Sequence, residues 1–140
     1  FSQQNVTFDL SPLSLTSSSS VPYHSVIAGN YLYAFNLCGD VMDENSIDPS
    51  CLFDDNQYIS PSGTITRAAN VSSQFFQSGN GQCFRLSGSV KENNTDLVTY
   101  SLFDQNDPAL GINVHYKYGD LCYGDIAREV DITFICDPYV

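Results

Sequence analysis

Between Gly111 and Cys136 apolar and polar residues alternate with a period of two. Ile112, Val114 and Tyr116 fall on one side and Asn113, His115 and Lys117 on the other, the pattern of a half-buried strand. After a Gly119-Asp120 turn signal, Val130, Ile132, Phe134 and Cys136 recur against Glu129, Asp131 and Thr133. A short connection predicts that the two runs pair antiparallel. The same alternation places Tyr31, Tyr33, Phe35 and Leu37 on one face of an earlier strand, and Val98, Tyr100 and Leu102 on one face of a later one. Shorter strands are expected over Gly63–Arg67, Val71–Phe76 and Gln82–Leu86, with a turn at Gly79-Asn80-Gly81. Residues 6–13 read as an edge strand stopped by Pro12, which has no N–H for a ladder. Residues 1–5 and 14–28 read as loop.

No window carries a sustained helical period, and strand follows turn about every ten residues, as in a sandwich or flattened barrel. The 140 residues hold nine Tyr and nine Phe but no Trp. That length suits one domain with a real core, and neither a linker nor a repeat divides it. The expected fold is all-β, a single domain spanning residues 1–140.

A formal net charge of −11, with only Arg67, Arg85, Lys91, Lys117 and Arg128 as cations, excludes nucleic acid and anionic membrane surfaces as natural partners. No run of about 18 apolar residues occurs to span a bilayer. A chain beginning at Phe1 is expected to be processed or partial, with any signal peptide already removed. Sequons stand at Asn5, Asn70 and Asn93. Together with five cysteines, they place the chain in the secretory lumen or outside the cell.

Catalysis is not expected. His24 and His115 show no H-x-x-x-H spacing, and neither a G-x-S-x-G elbow nor a P-loop is present. Cys122 lies near His115 in sequence, but a secreted cysteine is more often bridged than nucleophilic. No C-x-x-C pair suggests a metal, and no cofactor is expected. Asp40, Asp43, Glu44, Asp48, Asp54 and Asp55 match no EF-hand spacing and read as a solvated acidic loop.

Three phrases carry a family resemblance. Tyr116-Lys-Tyr-Gly119-Asp120-Leu-Cys122 is followed by Arg128 and then Phe134-Ile-Cys136-Asp137; Asp9-Leu-Ser-Pro-Leu13 opens the chain; Tyr33-Ala-Phe-Asn-Leu-Cys38 ends the first long strand. In this order they resemble the mannose 6-phosphate receptor homology (MRH) domain over roughly residues 6–136, without that family's closing strands. The resemblance implies a flattened β-barrel or two crossed antiparallel sheets. It also implies a lectin whose Gln, Arg, Glu and Tyr bind mannose hydroxyls; a guanidinium and an amide suit vicinal hydroxyls because each presents a fork of polar groups. Arg128, eight residues before Cys136, matches the family's Arg. The Gln position, just after Cys83, holds Phe84, so Gln82 and Gln57 are the candidates. No segment after Cys136 can carry the Glu and Tyr. A competing role for Arg128 is a surface pair with Glu129 or Asp131.

The resemblance also implies a Cys38–Cys51 bridge, a link of this loop length being worth about 3 kcal/mol. A Cys122–Cys136 bridge across the hairpin would leave Cys83 free or joined to another chain; the family's pattern would instead give Cys122 and Cys136 partners outside this sequence. Two functions follow. One is a non-catalytic module recognising mannose-type glycans on glycoproteins, or a degenerate descendant of it. The alternative is a structural subunit of an extracellular fibre or complex, in which copies of the chain, or another subunit, donate a strand to an exposed sheet edge.

Overall fold

The alternating runs around Tyr31–Phe35, Val98–Leu102, Gly111–Tyr116 and Val130–Ile135 become strands. The computed structural model describes residues 5–16, 18–41, 51, 57–59, 63, 65–67, 72–92 and 95–139. Among these lie β1 (His24–Ala28), β2 (Tyr31–Phe35), β3 (Gln57–Ile59), β4 (Ile65–Arg67), β5 (Phe75–Gly79), β6 (Gln82–Arg85), β7 (Val98–Leu102), β8 (Gly111–Tyr116) and β9 (Val130–Ile135). The chain is all-β, and every pairing among the described residues is antiparallel. A four-stranded sheet runs β1-β2-β5-β6, a three-stranded sheet runs β7-β8-β9, and β3-β4 is a separate pair. No ladder among the described residues closes these sheets into a barrel.

Several expected boundaries move. Residues 6–10 are not a strand: the Asp9 carboxylate accepts from the Ser11 N–H at 2.9 Å and the Ser11 hydroxyl at 2.6 Å, and a 3-10 turn follows over Ser11–Leu13. Within the expected 14–28 loop, His24–Ala28 is β1. Its exposed, mixed residues give no strand signal, but the Gly29-Asn30 turn folds it onto β2 in register from Ala28↔Tyr31 to His24↔Phe35, so tertiary pairing overrides composition. The strand expected over residues 71–76 starts instead at Phe75. Asn80 and Gly81, with φ of 53° and 72°, form the left-handed two-residue turn that suits a hairpin, fixing Gly79↔Gln82 as its closing pair.

Both faces of the four-stranded sheet contribute to the core, around β2, β5 and β6. On one, Ala34, Phe76 and Cys83 pack with Val41 and Cys51. On the other, Phe35 and Phe75 stack with ring centroids 5.4 Å apart, and Phe75 joins Leu37, Ile112, Val114 and Tyr116. That second cluster is the contact between the two main sheets.

The Gly119-Asp120 phrase, expected to be a plain turn, joins the elements. Gly88 N–H donates to the Lys117 carbonyl, Asp120 N–H to Arg85, Gly119 N–H to Arg128, Arg128 N–H to Asp120 and Leu121 N–H to Gln57. This single stretch therefore ties β6, β3 and the approach to β9 together. A Cβ on Gly119 would lie 2.6 Å from the Leu86 carbonyl carbon and 2.7 Å from the Arg128 oxygen. Only glycine lets three backbones meet there.

The bridges differ from expectation. Cys51 pairs with Cys83, at a Cα separation of 4.9 Å, and not with Cys38. Cys83 points inward from β6 beside Phe76, into the cluster that also holds Cys51. Cys38 sits just past β2 at a φ of 61° and faces the other side of the sheet, beside Ile112. Cys83 is thus neither free nor intermolecular. Cys38, Cys122 and Cys136 are exposed free thiols. Cys122 lies in the turn before β9 and Cys136 beyond its far end. A strand this long separates them by roughly 20 Å, far beyond the Cα distance of about 7 Å at which a bridge can form.

Candidate functional site

Arg128 lies just before β9, and its main chain is clamped by Gly119 and Asp120. Its guanidinium carbon stands 4.0 Å from the centroid of the Phe84 ring, a cation–π contact. Nη1 donates to the Leu121 carbonyl at 2.8 Å and to that of Asp120 at 3.4 Å. Nε and Nη2 have no described partner, and no described carboxylate pairs with this arginine. The competing ion pair with Glu129 or Asp131 does not form. Strand alternation turns both acids towards His115 on β8, whose Nδ1 is 2.7 Å from Asp131 Oδ1 and whose Nε2 is 3.3 Å from Glu129 Oε2. Arg128 is therefore held in place, half-buried, with one edge of its fork directed away from protein partners.

The sheet register extends the surface beneath it. Cys83 and Arg85 are buried on β6, whereas Gln82 and Phe84 face the other way. Opposed residues in antiparallel strands share a face, so one row reads Val26–Tyr33–Gln77–Phe84 and the next Ala28–Tyr31–Gly79–Gln82. Tyr31 packs across Gly79, where a Cβ would lie 2.8 Å from Tyr31 Cδ1. The face thus combines two tyrosines, two glutamine amides and Phe84, with Arg128 stacked on the last. Apolar rings stand beside amide and guanidinium groups on one surface.

Of the residues singled out in the sequence, Arg128 and Gln82 come to this one surface. Gln57 is exposed on β3, where its carbonyl accepts the Leu121 N–H at 2.6 Å. It stands across Leu121 from Arg128, and no hydrogen bond joins its amide to that guanidinium. Tyr33 and Gln77 were not anticipated as site residues. The Asn80-Gly81 turn held the signal: a two-residue turn pairing 79 with 82 must also pair 77 with 84.

Arg85, on the inward side of the same strand, is occupied. Its Nε lies 3.3 Å from Asp120 Oδ1, its Nη1 3.2 Å from Glu92 Oε1, and its guanidinium stacks 4.3 Å from the Tyr58 centroid. It is a structural ion, not a second ligand-facing cation.

The remaining sequence candidates fall elsewhere. Asp40 is not a solvated loop acid: it accepts from the Ser89 hydroxyl at 2.5 Å and the Val90 N–H at 3.0 Å. Asp43, Glu44, Asp48, Asp54 and Asp55 lie outside the described residues, as do Asn70 and Asn93. Asn5 is exposed. Among the described residues no group of His, Cys, Asp and Glu is arranged to hold a metal ion.

Comparison with protein-family models, curated proteins and solved structures returns no match. The buried Cys51–Cys83 bridge suits an oxidising compartment. No helix among the described residues is long and apolar enough to cross a membrane.

Proposed function

We propose that this chain is an MRH-like, non-catalytic glycan-recognition module of the secretory lumen or the cell exterior. The observation that carries the reading is Arg128: a guanidinium stacked on Phe84, free of any described carboxylate, at the border of a face bearing Tyr31, Tyr33, Gln77 and Gln82. Rings accept the apolar side of a hexose, and Arg128 and the amides donate to its hydroxyls. The disulfide and the sequons at Asn5, Asn70 and Asn93 support the compartment. Phe84 stands where the family resemblance calls for Gln, so the site is a modified one and the Arg is its polar anchor.

The test is titration of the intact protein with mannose-terminated oligosaccharides, followed by amide chemical shifts. Shifts centred on Arg128, Gln82, Gln77 and Tyr33, lost in Arg128→Ala, are expected. Saturating glycan that moves none of these resonances, or moves them equally in Arg128→Ala, overturns the reading.

A further inference from the structure

Away from the Arg128 face, the outer edge of the three-stranded sheet borders an apolar groove of about 660 Å³. Val6, Phe8 and Leu10 from the opening segment line it together with Tyr100, Leu102 and Ile112 from the sheet. Lys117 N–H bonds the Leu97 carbonyl and Phe103 N–H the Gly111 carbonyl. In an antiparallel ladder these two bonds set the phase: Thr99 and Ser101 point their backbone groups at β8, while Val98, Tyr100 and Leu102 point theirs outward. No described residue pairs with those outward groups, apart from a long 3.4 Å bond from Asn113 Nδ2 to the Leu102 carbonyl. The same residues carry side chains on the core face, opposite Tyr116, Val114 and Ile112. Yet Tyr100 is 65% and Leu102 40% exposed. A core face and an unpaired edge therefore end together.

We propose that β7 accepts an extended, cationic segment of a different protein chain as an added strand, its apolar residues entering the groove. A free apolar molecule would fill the groove but leave the β7 backbone unpaired; a strand satisfies both. Charge selects which strand. Among the described residues the charged one lining the groove is Asp9, whose carboxyl is held below the ordinary carboxylate range by hydrogen bonds from Ser11. No described cation lines it, and the chain carries a net charge of −11, so a second copy would bring like charge to the contact. With β-branched residues entering the groove, alternation places the intervening lysines or arginines on the outward face of the added strand, where the chain's net negative charge favours them. This proposal is independent of the glycan reading and concerns a different surface.

Cys38 lines the groove, so its thiol reports occupancy. The probe is a synthetic peptide of about seven residues alternating valine with lysine, added to the intact protein while maleimide labelling of each free cysteine is followed by mass spectrometry. Cys122, in the turn before β9 and not among the residues lining the groove, is the internal control. The expected result is saturable slowing of Cys38 labelling by at least about fivefold, with Cys122 unchanged. A glutamate-for-lysine peptide should give no protection, nor should the lysine peptide N-methylated at alternate residues. Leu102→Pro, which removes an outward N–H and spares the bonds to β8, should abolish protection. Equal protection by the N-methylated peptide overturns strand addition without relying on any variant's fold. Equal protection by the glutamate peptide, concentration-dependent self-protection of Cys38, or no protection at all also overturns the proposal.

Discussion

Arg85 and Asp120 form a buried pair that joins β6 to the segment linking the two main sheets: Arg85 N–H donates to Asp120 Oδ2 at 2.7 Å, and its Nε to Oδ1 at 3.3 Å. Asp120 is fully buried and Arg85 only 2% exposed. Removing one partner leaves the other charge in a dry site, at a cost of about 3–5 kcal/mol. Asp120→Ala and Arg85→Ala should each lose stability by that much in urea unfolding at neutral pH. A double replacement by apolar residues of similar volume should recover part of the loss. Single variants within about 0.5 kcal/mol of the parent would show that the pair does not hold the sheets together.

The Cys51–Cys83 bridge closes 32 residues of sequence, which in the chain-entropy account stabilises by roughly 3–4 kcal/mol. Cys51→Ser and Cys83→Ser should each be destabilised by about that amount, and should be equally sensitive to urea with or without reductant. Cys38→Ser, at an exposed turn position, should match the parent to within about 0.5 kcal/mol. Non-reducing peptide mapping should recover one bridged pair, Cys51 with Cys83; a Cys38–Cys51 peptide would refute this pairing.

Much of this architecture can be read from alternation. β7, β8 and β9 follow their apolar periods almost to the residue, and Asn80-Gly81 fixes the β5–β6 register. The rest depends on what lies opposite. β1 has no apolar face of its own and becomes a strand only because β2 offers a ladder. The partner of Cys51 turns on which sheet face Cys51 meets, and residues 39–50 carry no period that specifies it. Arg85 follows Cys83 by two residues, so an inward Cys83 forces an inward arginine. The Gly-Asp phrase supplies its counter-charge, although sequence alone shows only a turn. Arg128 stands out early as a cation beside two acids, but its freedom from them rests on His115 lying directly across from Asp131.

Tyr116, 2% exposed in the inter-sheet core, has its phenol pushed well above its ordinary value. Burial is the main cause, and nearby Cys38 and Tyr100 add to it in alkali. A folded-state value above the unfolded one favours the neutral form in the fold. Its contribution to stability is thus complete below about pH 10, the unfolded value, and declines as pH rises through that point. The urea midpoint should be flat from neutral pH to about pH 9 and fall above pH 10. Tyr116→Phe should flatten the fall. An unchanged alkaline slope in that variant would assign the loss to other groups.

Phe84 holds Arg128 in position but contributes no hydrogen bond to a ligand. Phe84→Gln replaces the ring with an amide on the same row as Gln77, adding a donor and an acceptor beside the guanidinium. A net hydrogen bond is worth about 0.5–1.5 kcal/mol, so mannoside affinity should rise by roughly two- to tenfold. The same change removes a cation–π contact worth about 0.5–1 kcal/mol, so the fold should lose about that much stability. Arg128→Lys keeps the charge but not the planar fork, and should weaken binding whether it is made alone or together with Phe84→Gln. Calorimetric titration with a mannose disaccharide checks the parent, the two single variants and the double variant. Affinity that falls in Phe84→Gln would mean that the ring itself, stacked against the sugar, is the dominant contact and that Arg128 serves mainly to hold it.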